Sequence, residues 1–397
     1  MSLDAFAKFP ARLPKGLTFF KVAIPQNEID DMIKLLKLSK LPPETYETSM
    51  ESRQYGVTRD WMIDAKKKWE SFDWRKTEDM INSFPNFTLD IADQSGPHQI
   101  HFAALISQKP DAVPVVLLHG WPGNFLEFLP MLNLLRKKYT PETLPYHVIV
   151  PSLPGYAFSS PPPLDRDFRI EDVARIFDKL MKDLGFGNGY LVQGGDVGSK
   201  VARVMAAEHD SCKGVHVNFC IMPEPKDVSG ELTKPEQVGL KRTEEFMKLG
   251  SSYALQHATK PGTLSFVLTS NPLSLLAWIA EKFLAWTDED PPLNTILESV
   301  TLYWLTETLP TSLYPYRQLY TPGNVGAHED PKWHITKPFG FSWFPKELAP
   351  IPRSWAATTG DLVFYRQHDS GGHFAALERP SVLLQDIEEF VAQVWKA

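Results

Sequence analysis

Ten consecutive residues, Tyr190-Leu-Val-Gln-Gly-Gly-Asp-Val-Gly-Ser199, constrain the fold of this chain more than any other stretch. Tyr190 to Gln193 reads as a buried strand, and Val201, Val204 and Met205 repeat at helical spacing just beyond it. Between them, Gly195-Asp196-Val197-Gly198 leaves room for a strained strand-to-helix turn that lifts one side chain above a sheet, the layout of a nucleophile elbow. Asp196 occupies the position usually held by serine. Its carboxylate would sit at a helix N-terminus, whose partial positive charge favours the ionised form. The competing reading is an ordinary turn with an N-capping aspartate.

The replacement of serine by aspartate carries chemical content. A serine attacking an epoxide or alkyl halide would form an ether, which an activated water cannot cleave. A carboxylate forms an ester, which water can hydrolyse at the carbonyl. Aspartate at the elbow therefore points to electrophilic sp³ carbon rather than to acyl groups. Ser199 is a poor alternative nucleophile, because it falls inside the start of the helix.

Alternating strands and helices surround this turn, the pattern of a parallel sheet. Val113 to Leu118 and Tyr146 to Val150 read as buried strands, Ile170 to Leu184 as a helix stopped by Gly185, and Val215 to Phe219 as a further strand. From about 224 to 320 the alternation gives way to helical, aromatic-rich sequence that includes Trp278, Trp286 and Trp304 and a helix start at Asn271-Pro272. This reads as a helical cap inserted between sheet strands. The sheet resumes after His334, and a last helix carries Leu384, Ile387, Val391 and Val394. Residues 1–110 read as an irregular collar with two amphipathic helices, near Glu28 to Leu38 and Thr58 to Trp69. The expected organisation is thus a collar (1–110), a first core segment (111–223), a cap (224–320) and a second core segment (321–397).

His119-Gly120-Trp121-Pro122-Gly123 follows the first buried strand, where an α/β-hydrolase fold places its oxyanion loop. The backbone N–H groups of Trp121 and Val197 would face the carbonyl oxygen of an aspartyl ester. His119 itself reads as a structural residue pinning the loop. Gly371-Gly372-His373 follows the strand Leu362 to Tyr365, and nucleophile, acid, then histidine is the chain order of this fold. His373 is the candidate base for the water that opens the ester. Two acids precede it. Asp361 begins the strand that delivers His373, which puts it at the end of the sheet away from the active site. Glu347 lies 26 positions before His373, after the apolar segment Pro338 to Phe344, and can close the loop at the correct edge. Glu347 is therefore the expected orienting acid.

Composition narrows the function classes. The formal charge is −7, with no basic block, which argues against nucleic acid or an anionic membrane as partner. Met1 to Leu13 has no apolar core of a signal peptide, and the longest apolar stretch, Leu275 to Ala280, is far short of the roughly 20 residues of a membrane span. Two cysteines, Cys212 and Cys220, fit a reduced, cytoplasmic protein. The histidines form no recognisable ligand set, and the nearest pair, His98 and His101, reads as part of a surface loop. No metal or cofactor is expected. The sequon at Asn86-Phe87-Thr88 reads as chance.

Together these motifs resemble the microsomal-type branch of the epoxide hydrolases, most of all its soluble fungal members. The resemblance covers nearly the whole chain. It includes Tyr55-Gly56-Val57, Phe72-Asp73-Trp74-Arg75, Phe84-Pro85-Asn86-Phe87-Thr88 and, most specifically, His119-Gly-Trp-Pro-Gly-Asn-Phe-Leu-Glu-Phe128. It implies an α/β-hydrolase fold, an epoxide substrate opened to a diol by Asp196, and water activated by His373 and Glu347. It further implies two cap tyrosines that donate to the epoxide oxygen. Tyr253 matches the first and Tyr316 the second, with its neighbour Tyr314 left open. The family's acid lies in a similar Phe-Pro-x-acid-Leu sequence, in agreement with Glu347. The membrane anchor of some members is missing, and a homodimer is left open. A haloalkane dehalogenase shares the aspartate and histidine, but that family commonly has Trp directly after the nucleophile, where this chain has Val197. A non-catalytic binding protein on the same fold would predict a broken triad, and all three members are present.

Overall fold

The computed structural model describes residues 3–9, 15–226, 228 and 230–396; Met1 to Leu13, read above for a secretion signal, falls partly outside them. Nine strands form one sheet: β1 (Thr18–Phe19), β2 (Asn86–Asp93), β3 (Gly96–Leu105), β4 (Val113–Leu118), β5 (Tyr146–Pro151), β6 (Tyr190–Gly194), β7 (Cys212–Val217), β8 (Ile335–Trp343) and β9 (Gly360–Gln367). Their order is β1-β2-β3-β5-β4-β6-β7-β8-β9. From β5 to β9 every pairing is parallel, whereas β1, β2 and β3 join antiparallel. β4 is buried at all six positions, as a strand covered on both faces must be.

Three helices precede β2: α1 (Gln26–Leu38), α2 (Arg59–Glu70) and α3 (Trp74–Asn82). The first two agree with the expected periodicity, and Thr58 caps α2 by accepting the Trp61 N–H at 3.2 Å. The expectation of an otherwise irregular collar is wrong. Asn86 to Leu105 is a hairpin that extends the sheet, and Phe87, Leu89 and Ile91 alternate into the core. His98 and His101 accordingly lie on β3 and are buried, not on a surface loop. His101 is held between the Ser152 hydroxyl at 2.9 Å and the Asn86 side-chain oxygen at 3.1 Å. The Asn86 amide is itself turned inward, donating to Ile81 and Phe84 carbonyls at 2.9 Å.

The core helices are α4 (Leu129–Lys138), α5 (Ile170–Met181) and α6 (Asp196–Glu208). α5 runs on into a wider turn over Lys182–Phe186, where Gly185 adopts φ 95°, the left-handed conformation expected of a helix stop. Between β7 and β8 the chain is helical: α7 (Lys234–Glu245), α8 (Ser252–Thr259), α9 (Pro261–Thr269), α10 (Pro272–Trp286), α11 (Leu293–Leu305) and α12 (Tyr314–Tyr320). Asn271 starts α10 by accepting the Leu273 N–H at 2.8 Å. The short helices α13 (Arg353–Ala357) and α14 (Ala375–Glu378) lead to the last helix, α15 (Pro380–Val394). Among the described residues no single helix is long and apolar enough to cross a membrane.

Candidate active site

Four sheet connections deliver the site, all at the carboxyl ends of parallel strands, where this class of sheet opens a crevice. β4 leads into the His119–Gly123 loop, β6 into Asp196, β8 into Glu347 and β9 into His373. Asp196 adopts φ 47°, a strained conformation for a residue with a side chain and the signature of an elbow. The turn is possible because its neighbours lack Cβ atoms. A Cβ on Gly198 would lie 2.3 Å from the Leu118 carbonyl oxygen, and one on Gly120 would lie 2.2 Å from Asp196 Oδ1.

The Trp121 N–H donates to Asp196 Oδ1 at 2.8 Å. Asp196 Oδ2 faces His373 Nε2 at 3.4 Å, and His373 Nδ1 lies 2.5 Å from Glu347 Oε1. Glu347 Oε1 also accepts the Leu348 N–H at 2.6 Å, which fixes the carboxylate. Burial works against the ionised form of Asp196, but the His373 cation and the N–H groups of Trp121 and Val197 outweigh it and hold the carboxyl below its ordinary range. Burial likewise disfavours a charged imidazole, yet Glu347 and Asp196 together push His373 up to about 10. At neutral pH Asp196 is therefore a carboxylate facing a protonated His373.

Asp361 lies at the start of β9 and is exposed, about 20 Å along the strand from its far end. It does not join the array. His119 is neutral and structural: its Nε2 accepts the Leu153 N–H at 3.1 Å, so Nδ1–H donates to the Gly120 carbonyl at 3.1 Å, and burial lowers it to about 4. Ser199 is fully buried, donating to the Asp196 carbonyl at 2.6 Å and sitting 3.1 Å from His328 Nε2. No free hydroxyl nucleophile is available there.

The opposite wall is aromatic. Tyr253 from α8 stacks on Trp121 at 5.4 Å, and Tyr316 from α12 meets both Trp121 and Tyr253 edge-on at 5.8 Å. Tyr314 turns away and packs against Phe168 at 5.2 Å. Of the two neighbours, Tyr316 is thus the one beside the His119–Gly123 loop. Its hydroxyl is buried without a hydrogen-bond partner among the described residues. Burial raises both Tyr253 and Tyr316 well above the usual phenol range, so both are neutral donors.

Three residues escaped the sequence reading. His257 lies one turn after Tyr253 and meets Trp121 edge-on at 4.4 Å; its Nε2 accepts the Trp278 N–H at 3.1 Å, so its Nδ1–H is a spare donor. The i, i+4 spacing from Tyr253 was the available signal. The Trp286 carbonyl accepts the His373 N–H at 2.9 Å, and its ring stands edge-on to the imidazole at 5.1 Å. Glu127, inside the His119–Phe128 motif, lines the cavity beside Asp196 and His373. Among the described residues no group of three histidine, cysteine or carboxylate side chains converges as metal ligands.

Comparison with known proteins agrees with this geometry. Residues 17–128 match the family model described as the epoxide hydrolase N terminus, and residues 113–226 match that of the α/β hydrolase fold. Epoxide hydrolase 1 of Oryctolagus cuniculus is 32% identical over 94% of this chain and 88% of its own. The structure of Aspergillus niger epoxide hydrolase superposes with a TM-score of 0.94 at 52% identity, covering 98% of this chain and 100% of that one. The juvenile hormone epoxide hydrolase of the silkworm Bombyx mori gives a TM-score of 0.84 at 25% identity, covering 95% and 94% of the two chains. An elbow carrying aspartate, a histidine–glutamate pair behind it and full-length likeness of this kind lead to one conclusion: the chain belongs to the epoxide hydrolase family and has the α/β-hydrolase fold.

Proposed function

We propose that this protein hydrolyses epoxides to vicinal diols through a covalent ester on Asp196. The observation that carries the reading is the pair of differently held oxygens on that side chain: Oδ1 accepts the Trp121 N–H at 2.8 Å, while Oδ2 faces His373 at 3.4 Å. Oδ1 is the oxygen that stays a carbonyl, and Oδ2 is the attacking one. Oδ2 bonds to an epoxide carbon as its C–O bond breaks, and the departing oxygen takes a proton from Tyr253 or Tyr316. The resulting tyrosinate recovers a proton originating on the His373 cation. Esterification removes the charge on Asp196, one of the two carboxylates that favour that cation, so His373 becomes a competent neutral base.

In the second half, neutral His373 takes a proton from water and the hydroxide adds to the ester carbonyl. Negative charge then gathers on Oδ1, toward which the Trp121 N–H already points. Collapse expels the diol alkoxide, which takes the proton of the new Asp196 carboxyl group and restores the resting site. Glu347 holds the Nδ1–H tautomer and stabilises the cation. Two buried free thiols, Cys212 and Cys220, fit a reducing compartment. The reading is tested by incubating the protein with racemic aryl and alkyl epoxides and separating diol from residual epoxide on a chiral phase. Diol with unequal consumption of the enantiomers is expected; no turnover of any member would refute the activity.

A further inference from the structure

A buried cation lies against the cap tyrosines, and the catalytic steps above leave it unused. Lys282 stands on α10 and is buried, where a lysine is rarely found without a partner. Burial lowers the pKa of its ammonium, and the carboxylate of the neighbouring Glu281, paired with it, opposes that effect. The ammonium also lies over two rings. Its Nζ is 4.8 Å from the ring centre of Tyr253 and 5.1 Å from that of Trp278. Both distances fall within the roughly 6 Å at which a cation and a ring face attract. His257 packs on the same two rings, at 5.3 and 5.8 Å, but burial pushes its imidazole down to about 3, with Lys282 adding to the effect. His257 is therefore neutral, and the positive charge beside Tyr253 is that of Lys282.

Resting on the covalent reading, we propose that Lys282 is a positioning residue that acts through Tyr253: its ammonium stabilises the Tyr253 phenolate, and so makes Tyr253 rather than Tyr316 the phenol that gives up its proton. As Asp196 Oδ2 bonds to the epoxide carbon, the electron pair of the breaking C–O bond moves to the departing oxygen. That oxygen takes the Tyr253 proton, and the O–H electron pair stays on the phenol oxygen. Part of the new negative charge spreads into the ring, over whose face the ammonium already lies. Attraction to a neutral ring thus becomes attraction between opposite charges. A contact that strengthens as the reaction proceeds is the kind that lowers a barrier. The rest of the surroundings resist ionisation: burial raises the Tyr253 phenol well above its usual range, and Tyr320, Asp196 and Glu281 add to it. Glu281 does not cancel the lysine. Its side chain is 35% exposed against 4% for Lys282, so water screens the carboxylate more than the ammonium. Tyr316 packs instead on Trp121, Tyr253, His257 and Tyr320, and its part is to hold the departing oxygen by a hydrogen bond.

The test is a double-mutant cycle in the full-length protein, with styrene oxide as the probe. Alkyl-enzyme is followed by rapid quench and intact mass, which separates ester formation from ester decay. Lys282→Met keeps the length of the side chain and removes its charge. Ester formation should slow by about tenfold or more, the scale of one desolvated cation–ring contact, while decay stays within a few-fold of the parent. Lys282→Arg should restore formation to within a few-fold. In a Tyr253→Phe background Lys282→Met should add almost nothing, because no phenolate forms there, whereas in a Tyr316→Phe background its full effect should remain. Formation at the parental rate in Lys282→Met overturns the inference. So does an equal loss in the Tyr253→Phe background, or an arginine no better than methionine, since either would mean that the lysine serves packing alone. If Lys282→Met does not fold, Lys282→Gln carries the same cycle with the same outcomes. A parent that never forms alkyl-enzyme overturns the covalent reading and this inference with it, whereas a parent that forms it and a Lys282→Met variant that matches it remove this inference alone.

Discussion

The two walls of the active site are built on different principles. On the sheet side every reacting group is held by a partner: Asp196 by the Trp121 N–H, His373 by Glu347, and Glu347 by the Leu348 N–H. On the cap side two polar atoms beside the site are spare. The hydroxyl of Tyr316 and Nδ1 of His257 are buried with no hydrogen-bond partner among the described residues. A buried donor left unpaired costs on the order of 1–3 kcal/mol. Such a set persists where a guest satisfies it. The sheet wall is thus preorganised for charge that develops during reaction, and the cap wall is completed by what it binds. Apart from Asp196, which forms the ester, mutations on the sheet wall should slow the ester's hydrolysis, and mutations on the cap wall should slow its formation.

The largest effect should come from the cap. Replacing either Tyr253 or Tyr316 by phenylalanine should slow ester formation by about 10²-fold, the usual cost of one oxyanion donor. The double variant should slow it by roughly the product of the two. Burst kinetics would read this, and a double variant that alkylates at near-parental rate would break the division between walls. On the sheet side, Glu347→Gln should accumulate alkyl-enzyme, with hydrolysis slowed by about 10³-fold or more. The pH dependence sharpens the point. Removing a carboxylate that favours the His373 cation lowers its pKa, so the rise of hydrolysis with pH should move to lower pH in this variant. A shift to higher pH would mean that Glu347 does not act through the imidazolium. A smaller change, about fivefold in kcat/KM, is expected for His257→Ala, which deletes one spare donor worth about 1 kcal/mol. Asp361→Asn should turn over like the parent, since Asp361 is exposed at the far end of β9.

How much of this was legible in the sequence depended on how local each signal is. The elbow, the loop after β4 and the histidine turn are short motifs whose glycines answer to contacts within a few ångströms, and the structure brings the three together. The choice of Glu347 over Asp361 followed from strand direction, with the resemblance of its Phe-Pro-x-acid-Leu sequence in agreement. The hairpin β2–β3 was missed although Phe87, Leu89 and Ile91 alternate and Asp93-Gln-Ser-Gly96 is a turn signal. The conspicuous prolines and aromatics of the collar drew the reading toward irregular structure, and the burial of His98 and His101 was lost with it. Glu127 stood within a quoted motif, yet nothing in its spacing told that it lines the cavity beside Asp196 and His373, which the loop after β9, far away in sequence, completes.

Isotope labelling tests the central claim, a covalent ester on Asp196, most directly. Excess enzyme is given less than one equivalent of epoxide in ¹⁸O-water, and both the diol and the peptide carrying Asp196 are weighed. Hydrolysis at the ester carbonyl places the label in the Asp196 carboxylate and leaves the first-turnover diol unlabelled. Label in the diol from the first turnover, with Asp196 unlabelled, would mean that water attacks the epoxide itself and that Asp196 is not the nucleophile.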